Sequence, residues 1–121
     1  MANRSRSRFA SRPAAGPARP SALDALGALG DPTRRRVFER LLGGPLAVNE
    51  IAGGMPVTRP AVSQHLRVLV DVGLVTVRSR GTRRVYAVSP DGVGALRTWM
   101  DEFWSRALEG FRAAAERTAE E

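Results

Sequence analysis

A chain of 121 residues, 43% of them hydrophobic and without an internal repeat, has room for one small domain with a thin core, so a second subunit is a natural cover for apolar faces that cannot close over themselves. The absence of cysteine excludes disulfides, thiolate metal ligands and thiol redox chemistry; no apolar stretch resembles a signal peptide core or is long enough to cross a bilayer, so a cytoplasmic protein without a membrane partner is expected. Every basic residue is arginine, and 19 of them against 12 acids give a formal net charge of +7, which suits a polyanionic partner whose phosphates and guanines a guanidinium can fork onto.

The charge is unevenly placed. Residues 1–20 carry five Arg and no acid, residues 31–90 ten Arg against four acids, and residues 91–121 four Arg against seven acids, so the positive potential belongs to the beginning and the middle. Residues 1–20, rich in Arg, Ser and Pro, read as a disordered basic tail that strengthens attraction to DNA; organellar transit peptides share that composition.

From Ser21 the sequence turns helical. Ser21 and Asp24 have the spacing of a capping box, and Leu23, Leu26 and Leu29 recur at helical intervals, which predicts a short helix over 22–29 ended by Gly30. Asp31 and Pro32 then open a second helix with an apolar stripe of Val37, Phe38, Leu41 and Leu42, stopped at Gly43-Gly44-Pro45. A third, short helix fits Val48–Ala52, broken by Gly53-Gly54-Met55-Pro56, and Thr58 caps a fourth from Arg59 to about Asp71. Val62, Leu66 and Leu69 share the inward face of this fourth helix, with Ala61 and His65 at its margin; Pro60, Ser63, Gln64 and Arg67 lie opposite, a polar surface free of acids. Gly73 closes it. LVTVRS and RRVYAV follow as two strands around Arg80-Gly81-Thr82, and Ser89-Pro90 opens one long helix bearing Val93, Leu96, Trp99, Met100, Phe103, Trp104, Ala107, Leu108 and Phe111 within about half a turn. Helix, tight break, helix and a basic hairpin predict a mainly α fold with a small β-hairpin: a winged helix-turn-helix of about five helices and a two-stranded wing over 21–112, with 113–121 a fraying helix end.

The stretches LGDPTRRRVFERLL, PLAVNEIA and TRPAVSQHLRVLVDVGLVTVRSRGTRRVYAVS resemble the ArsR/SmtB family of bacterial winged-helix repressors over about residues 21–112. The resemblance implies a homodimer, joined through its first and last helices, that represses an operator until a signal lowers its affinity. One departure matters: where metal-sensing members are similar to Leu-Cys-x-Cys-Asp-Leu, this chain has Leu46-Ala47-Val48-Asn49-Glu50-Ile51, and the second family site, on the last helix, is unmatched because His65 is the single histidine. Neither a metal nor another cofactor is expected.

Within this frame Gln64 and Arg67 suit base edges, Gln favouring adenine and Arg guanine, while Thr58, Arg59 and Ser63 lie nearer phosphates at the helix N-terminus. Arg80 and Arg83 at the wing tip are candidates for phosphate or the minor groove, whereas Arg78 and Arg84 equally suit the hairpin's flank. Arg34, Arg35 and Arg36 stand in a first turn, where the helix dipole disfavours cations; a bound anion or plain solvation both fit. Leu23, Leu26, Trp99, Phe103, Trp104, Leu108 and Phe111 are assigned to a subunit interface, and the aromatic members would also suit a pocket for an unidentified apolar effector. One histidine on a helix edge and no glycine-rich phosphate loop argue against an enzyme. A sequence-specific regulator of double-stranded DNA is the reading favoured; a non-specific nucleic-acid-coating protein is the rival, and a winged helix reused for protein contacts a third class.

Overall fold

The computed structural model describes residues 21–120; the basic tail expected to be disordered falls outside the described residues. In chain order the elements are α1 (Ala22–Ala28), α2 (Pro32–Arg40) tightening into a 3-10 turn (Leu41–Gly43), β1 (Leu46–Ala47), α3 (Val48–Ala52), α4 (Arg59–Asp71), β2 (Val75–Arg80), β3 (Arg83–Val88) and α5 (Pro90–Glu120).

Local chemistry sets each boundary. Ser21 and Asp24 complete the capping box of α1, the Ser21 hydroxyl accepting the Asp24 N–H at 3.1 Å and the Asp24 carboxylate accepting the Ser21 N–H at 3.2 Å. At the start of α2 the Asp31 carboxylate accepts the Arg34 N–H at 3.0 Å, with Pro32 in the first turn, where no donor is missed. That backbone bond, aided by the positive charges of Arg34 and His65, holds the Asp31 carboxyl below its ordinary pKa of 3.8. A carboxylate whose pKa is lower folded than unfolded adds stability above the unfolded value and loses it as pH falls through the folded one. Asp31→Ala is therefore expected to lower the urea midpoint at neutral pH, and its gap from wild type should close in titrations taken below pH 3.8.

Helix α4 is the hub, packing against α1, α2, α3 and β2. Its Val62, Leu66 and Leu69 are fully buried with Val37 of α2, Ile51 of α3 and Leu74, while Leu41, Val75 and Tyr86 close the core. The helix ends in a Schellman motif: the Gly73 N–H reaches the Val70 carbonyl and the Leu74 N–H the Leu69 carbonyl, both at 3.0 Å, with Gly73 at φ +84°. Leu74, the residue after the glycine, thereby enters the core beside Leu69.

The structure adds to the sequence reading in three places. The wing is part of a three-stranded antiparallel sheet, order β1-β3-β2, because Leu46 pairs with Tyr86 and Ala47 with Val85. The expected stripe of α2 breaks after Leu41: the tighter 3-10 turn rotates Leu42 out, and it is 64% exposed. Helix α5 continues as helix through 113–120, the stretch expected to fray.

None of the 31 residues of α5 is buried. The helix packs on α1 and is fastened at its start, where the Ser89 N–H donates to the Leu74 carbonyl at 2.9 Å and the Ser89 hydroxyl accepts the Gly92 N–H at 3.2 Å. Gly92 there lies directly on the Gly73 backbone, so that a Cβ at this position would overlap the Gly73 carbonyl.

Candidate nucleic-acid interface

The start of α4 is organised by Thr58, whose hydroxyl accepts the Ala61 N–H at 3.2 Å and keeps its own proton to donate outward. With Val62, Leu66 and Leu69 drawn into the core, helical periodicity leaves Thr58, Arg59, Ser63, Gln64 and Arg67 exposed together. The side chains of Ser63, Gln64 and Arg67 make no hydrogen bond or ion pair to another described residue. Two donors of varied geometry and a hydroxyl stand there uncommitted on a rigid helix; the acid-free face expected from the sequence ends at Arg67, because exposed Asp71 follows one turn later on the same side.

The wing turns through Gly81-Thr82, with positive φ confined to Gly81 at +63°, the pattern of a type II′ turn that suits the twist of the strands. Register settles which arginines share a face. Arg80 pairs with Arg83, Arg78 with Val85 and Ser79 with Arg84, so alternation puts Arg78, Arg80 and Arg83 on one side of the hairpin and Arg84 on the other, the side from which Val77 and Tyr86 meet the core. Two cations directly opposite one another are unfavourable unless an anion lies near.

The short helix α3 ties the wing to α4. The Asn49 side-chain oxygen accepts Arg59 Nη1 at 3.1 Å, and the neighbouring Glu50 carboxylate accepts Arg83 Nη2 at 3.2 Å, so the start of α4 and the tip strand of the wing meet adjacent residues of α3. Glu50 Oε1 also accepts the Ala47 N–H at 2.8 Å, and Arg40 reaches the Glu50 carbonyl at 2.8 Å while its guanidinium lies over Gly54. Arginines from α2, α4 and β3 thus converge on Asn49-Glu50. Sequence reasoning passed over this dipeptide: Ala47 supplies no capping oxygen, so the Glu50 half of a capping pair stands without its usual Ser or Thr.

Arg34 and Arg35 find backbone acceptors inside the chain. Arg34 Nη1 donates to the Ala28 carbonyl at 3.2 Å and Arg35 Nη1 to the Leu29 carbonyl at 3.1 Å, so both cations terminate α1 at its negative end, while Arg36 stays exposed. His65 is half-buried, its Nδ1 enclosed without a partner among the described residues. No three His, Cys, Asp or Glu side chains gather to hold a metal among the described residues, and no described helix is long and apolar enough to cross a membrane.

The apolar surface assigned to a subunit interface is carried by α1 and α5. Helix α1 buries Ala25 and Ala28 and turns Leu23 and Leu26 outward; on α5, Phe103, Trp104, Leu108 and Phe111 are exposed, the last by 75%, and Trp99 is half-buried. Trp99 and Phe103 stack with centroids 5.4 Å apart, and Trp104 meets Phe103 edge-on.

A three-helix core presenting an exposed polar helix beside a basic β-wing defines a winged helix-turn-helix DNA-binding regulator, a class without catalytic machinery. The family model described as "Helix-turn-helix domain" matches residues 29–78. The chain is 60% identical over 84 residues to the HTH-type transcriptional regulator Rv2034 of Mycobacterium tuberculosis, covering 69% of this chain and 78% of that one. Among solved structures it is similar to a possible transcriptional regulator for arsenical resistance, with 43% identity, TM-score 0.63 and coverage of 75% of this chain and 95% of the other. It is also similar to a homodimeric winged helix-turn-helix domain of Mycobacterium bovis, with 27% identity, TM-score 0.56 and coverage of 73% and 82%. The chain belongs to the ArsR/SmtB family of winged helix-turn-helix transcriptional regulators.

Proposed function

We propose that the protein is a repressor that binds a palindromic operator in double-stranded DNA of the cytoplasm as a homodimer, two copies of α4 entering successive major grooves. The observation that carries this reading is the uncommitted face of Ser63, Gln64 and Arg67 on α4, flanked by the wing. Gln64 and Arg67 read base edges; Thr58, Arg59 and Ser63 fix the helix on the phosphates; Arg80, and Arg83 with Glu50 beside it, reach backbone or minor groove. Leu23 and Leu26 of α1 join Trp99, Phe103, Trp104, Leu108 and Phe111 of α5 in the dimer seam, an apolar area too large to leave in water.

The deciding experiment titrates the protein against its own upstream DNA and a scrambled duplex at two salt concentrations. A preference of roughly a thousandfold or more at physiological salt supports an operator-specific regulator. Equal affinities that fall together with salt identify a protein that binds by charge alone. Arg67→Ala is expected to weaken upstream binding by about 1–3 kcal/mol and to relax selectivity at one base position. A loss of the same size on both duplexes would make Arg67 a phosphate contact instead.

A further inference from the structure

Arg80 and Arg83 are cross-strand partners at the wing tip, both exposed and on one face of the hairpin. The two differ in what they touch. Arg80 makes no side-chain bond to another described residue, whereas Arg83 Nη2 lies 3.2 Å from Glu50 Oε1. The same oxygen accepts the Ala47 N–H at 2.8 Å, so the carboxylate is already ordered by its place at the start of α3. An exposed ion pair ordinarily spends much of its Coulomb gain on fixing two mobile side chains; here only the arginine has to be fixed. The pair also relieves the repulsion between the facing arginines, which makes it more favourable than its exposure alone implies.

A phosphate and the Glu50 carboxylate are rivals for the same fork. We propose that Glu50 is a positioning residue that limits the wing's grip: it holds Arg83 against α3 in competition with phosphate, so that arbitrary DNA is gripped by one wing cation fewer than the sequence offers. Only a duplex already engaged by Gln64 and Arg67 draws the second cation across. This rests on the reading of this surface as the DNA-binding face. Its consequence is a lower affinity and a shallower salt dependence on the bulk of the genome, since phosphate contacts supply essentially all of non-specific binding, while the operator complex bears the cost of parting the pair.

Glu50→Gln is the informative variant, because glutamine keeps the oxygen that caps α3 and loses the charge that retains Arg83. Binding of wild type, Glu50→Gln, Arg83→Ala and the double variant to scrambled and upstream duplexes is measured across a salt series, with melting temperatures alongside. Glu50→Gln is expected to bind scrambled DNA several-fold more tightly, to steepen the log-affinity against log-salt slope by about 0.9, one added phosphate contact, and to gain at least as much on the upstream fragment, where the wild type has to part the pair. Arg83→Ala added to Glu50→Gln should cancel the gain and return the slope on scrambled DNA to that of the wild type. An unchanged slope in Glu50→Gln, or an equal gain in the absence of Arg83, would each overturn the proposal. A wild type without preference for the upstream fragment would sink the operator reading, and the slopes on scrambled DNA would still decide the role of Glu50.

Discussion

Gly92→Ala is expected to destabilise the protein by about 3 kcal/mol, the upper range for forcing extra volume into a packed contact, although it exchanges a poor helix former for the best one. The reason is local. The Cβ of alanine would overlap the Gly73 carbonyl, which is backbone and held by its Schellman turn, so neither partner has a side chain that can swing away. Gly94, two residues along the same helix, supplies the control: a Cβ there meets nothing within 4 Å, and Gly94→Ala should stabilise by up to about 1 kcal/mol. Chemical denaturation of the two variants beside wild type checks both signs at once. Alanines that act alike would show that α5 does not rest on the end of α4. A folded but displaced Gly92→Ala would be equally informative, since the contact sets the distance between the long helix and α4.

The second large effect is expected at Trp104. This side chain is 56% exposed in the single subunit, so Trp104→Asp removes little buried area from the fold itself and should leave the secondary structure intact. Placed in a subunit interface, the same charge would be stranded against Phe103 and its counterparts, and association should fail. A protein reduced to one recognition helix per molecule loses the effective concentration that tethers the second half-site, a factor on the order of 100 to 10,000 in apparent affinity. Light scattering gives the mass and anisotropy with the upstream duplex gives the affinity. A variant that remains dimeric and binds as wild type would remove α5 from the interface.

Much of this architecture is legible in the sequence where one physical rule dominates. Helix α4 runs over Arg59–Asp71 because Thr58 caps one end, Gly73 reverses the other, and Val62, Leu66 and Leu69 recur at helical spacing between them. The polar face of α4 follows from the same arithmetic, as does the hairpin around Gly81. Features that depend on partners distant in the chain leave no such trace. Strand β1 is two residues long, too short for alternation, and exists because β3 passes beside it. Leu42 sits at a stripe position that the 3-10 turn rotates into solvent. Arg34 and Arg35 oppose the dipole of the helix they belong to and are explained by the carbonyls of the helix before it. Asn49 and Glu50 look like ordinary surface residues until α2, α4 and β3 each bring an arginine to them.

Those arginine contacts bear on what the protein's charge can do. Of the ten arginines between residues 31 and 90, five have a guanidinium N–H committed within the chain: Arg34 and Arg35 to α1, Arg40 and Arg59 to α3, and Arg83 to Glu50. Their charge still draws a polyanion from a distance, but those forks act first as mortar between secondary elements. Long-range attraction and close grip are thus served by different numbers of residues. The ions displaced when DNA binds should track the smaller number, and a formal charge of +7 overstates how tightly this surface holds a duplex it does not recognise.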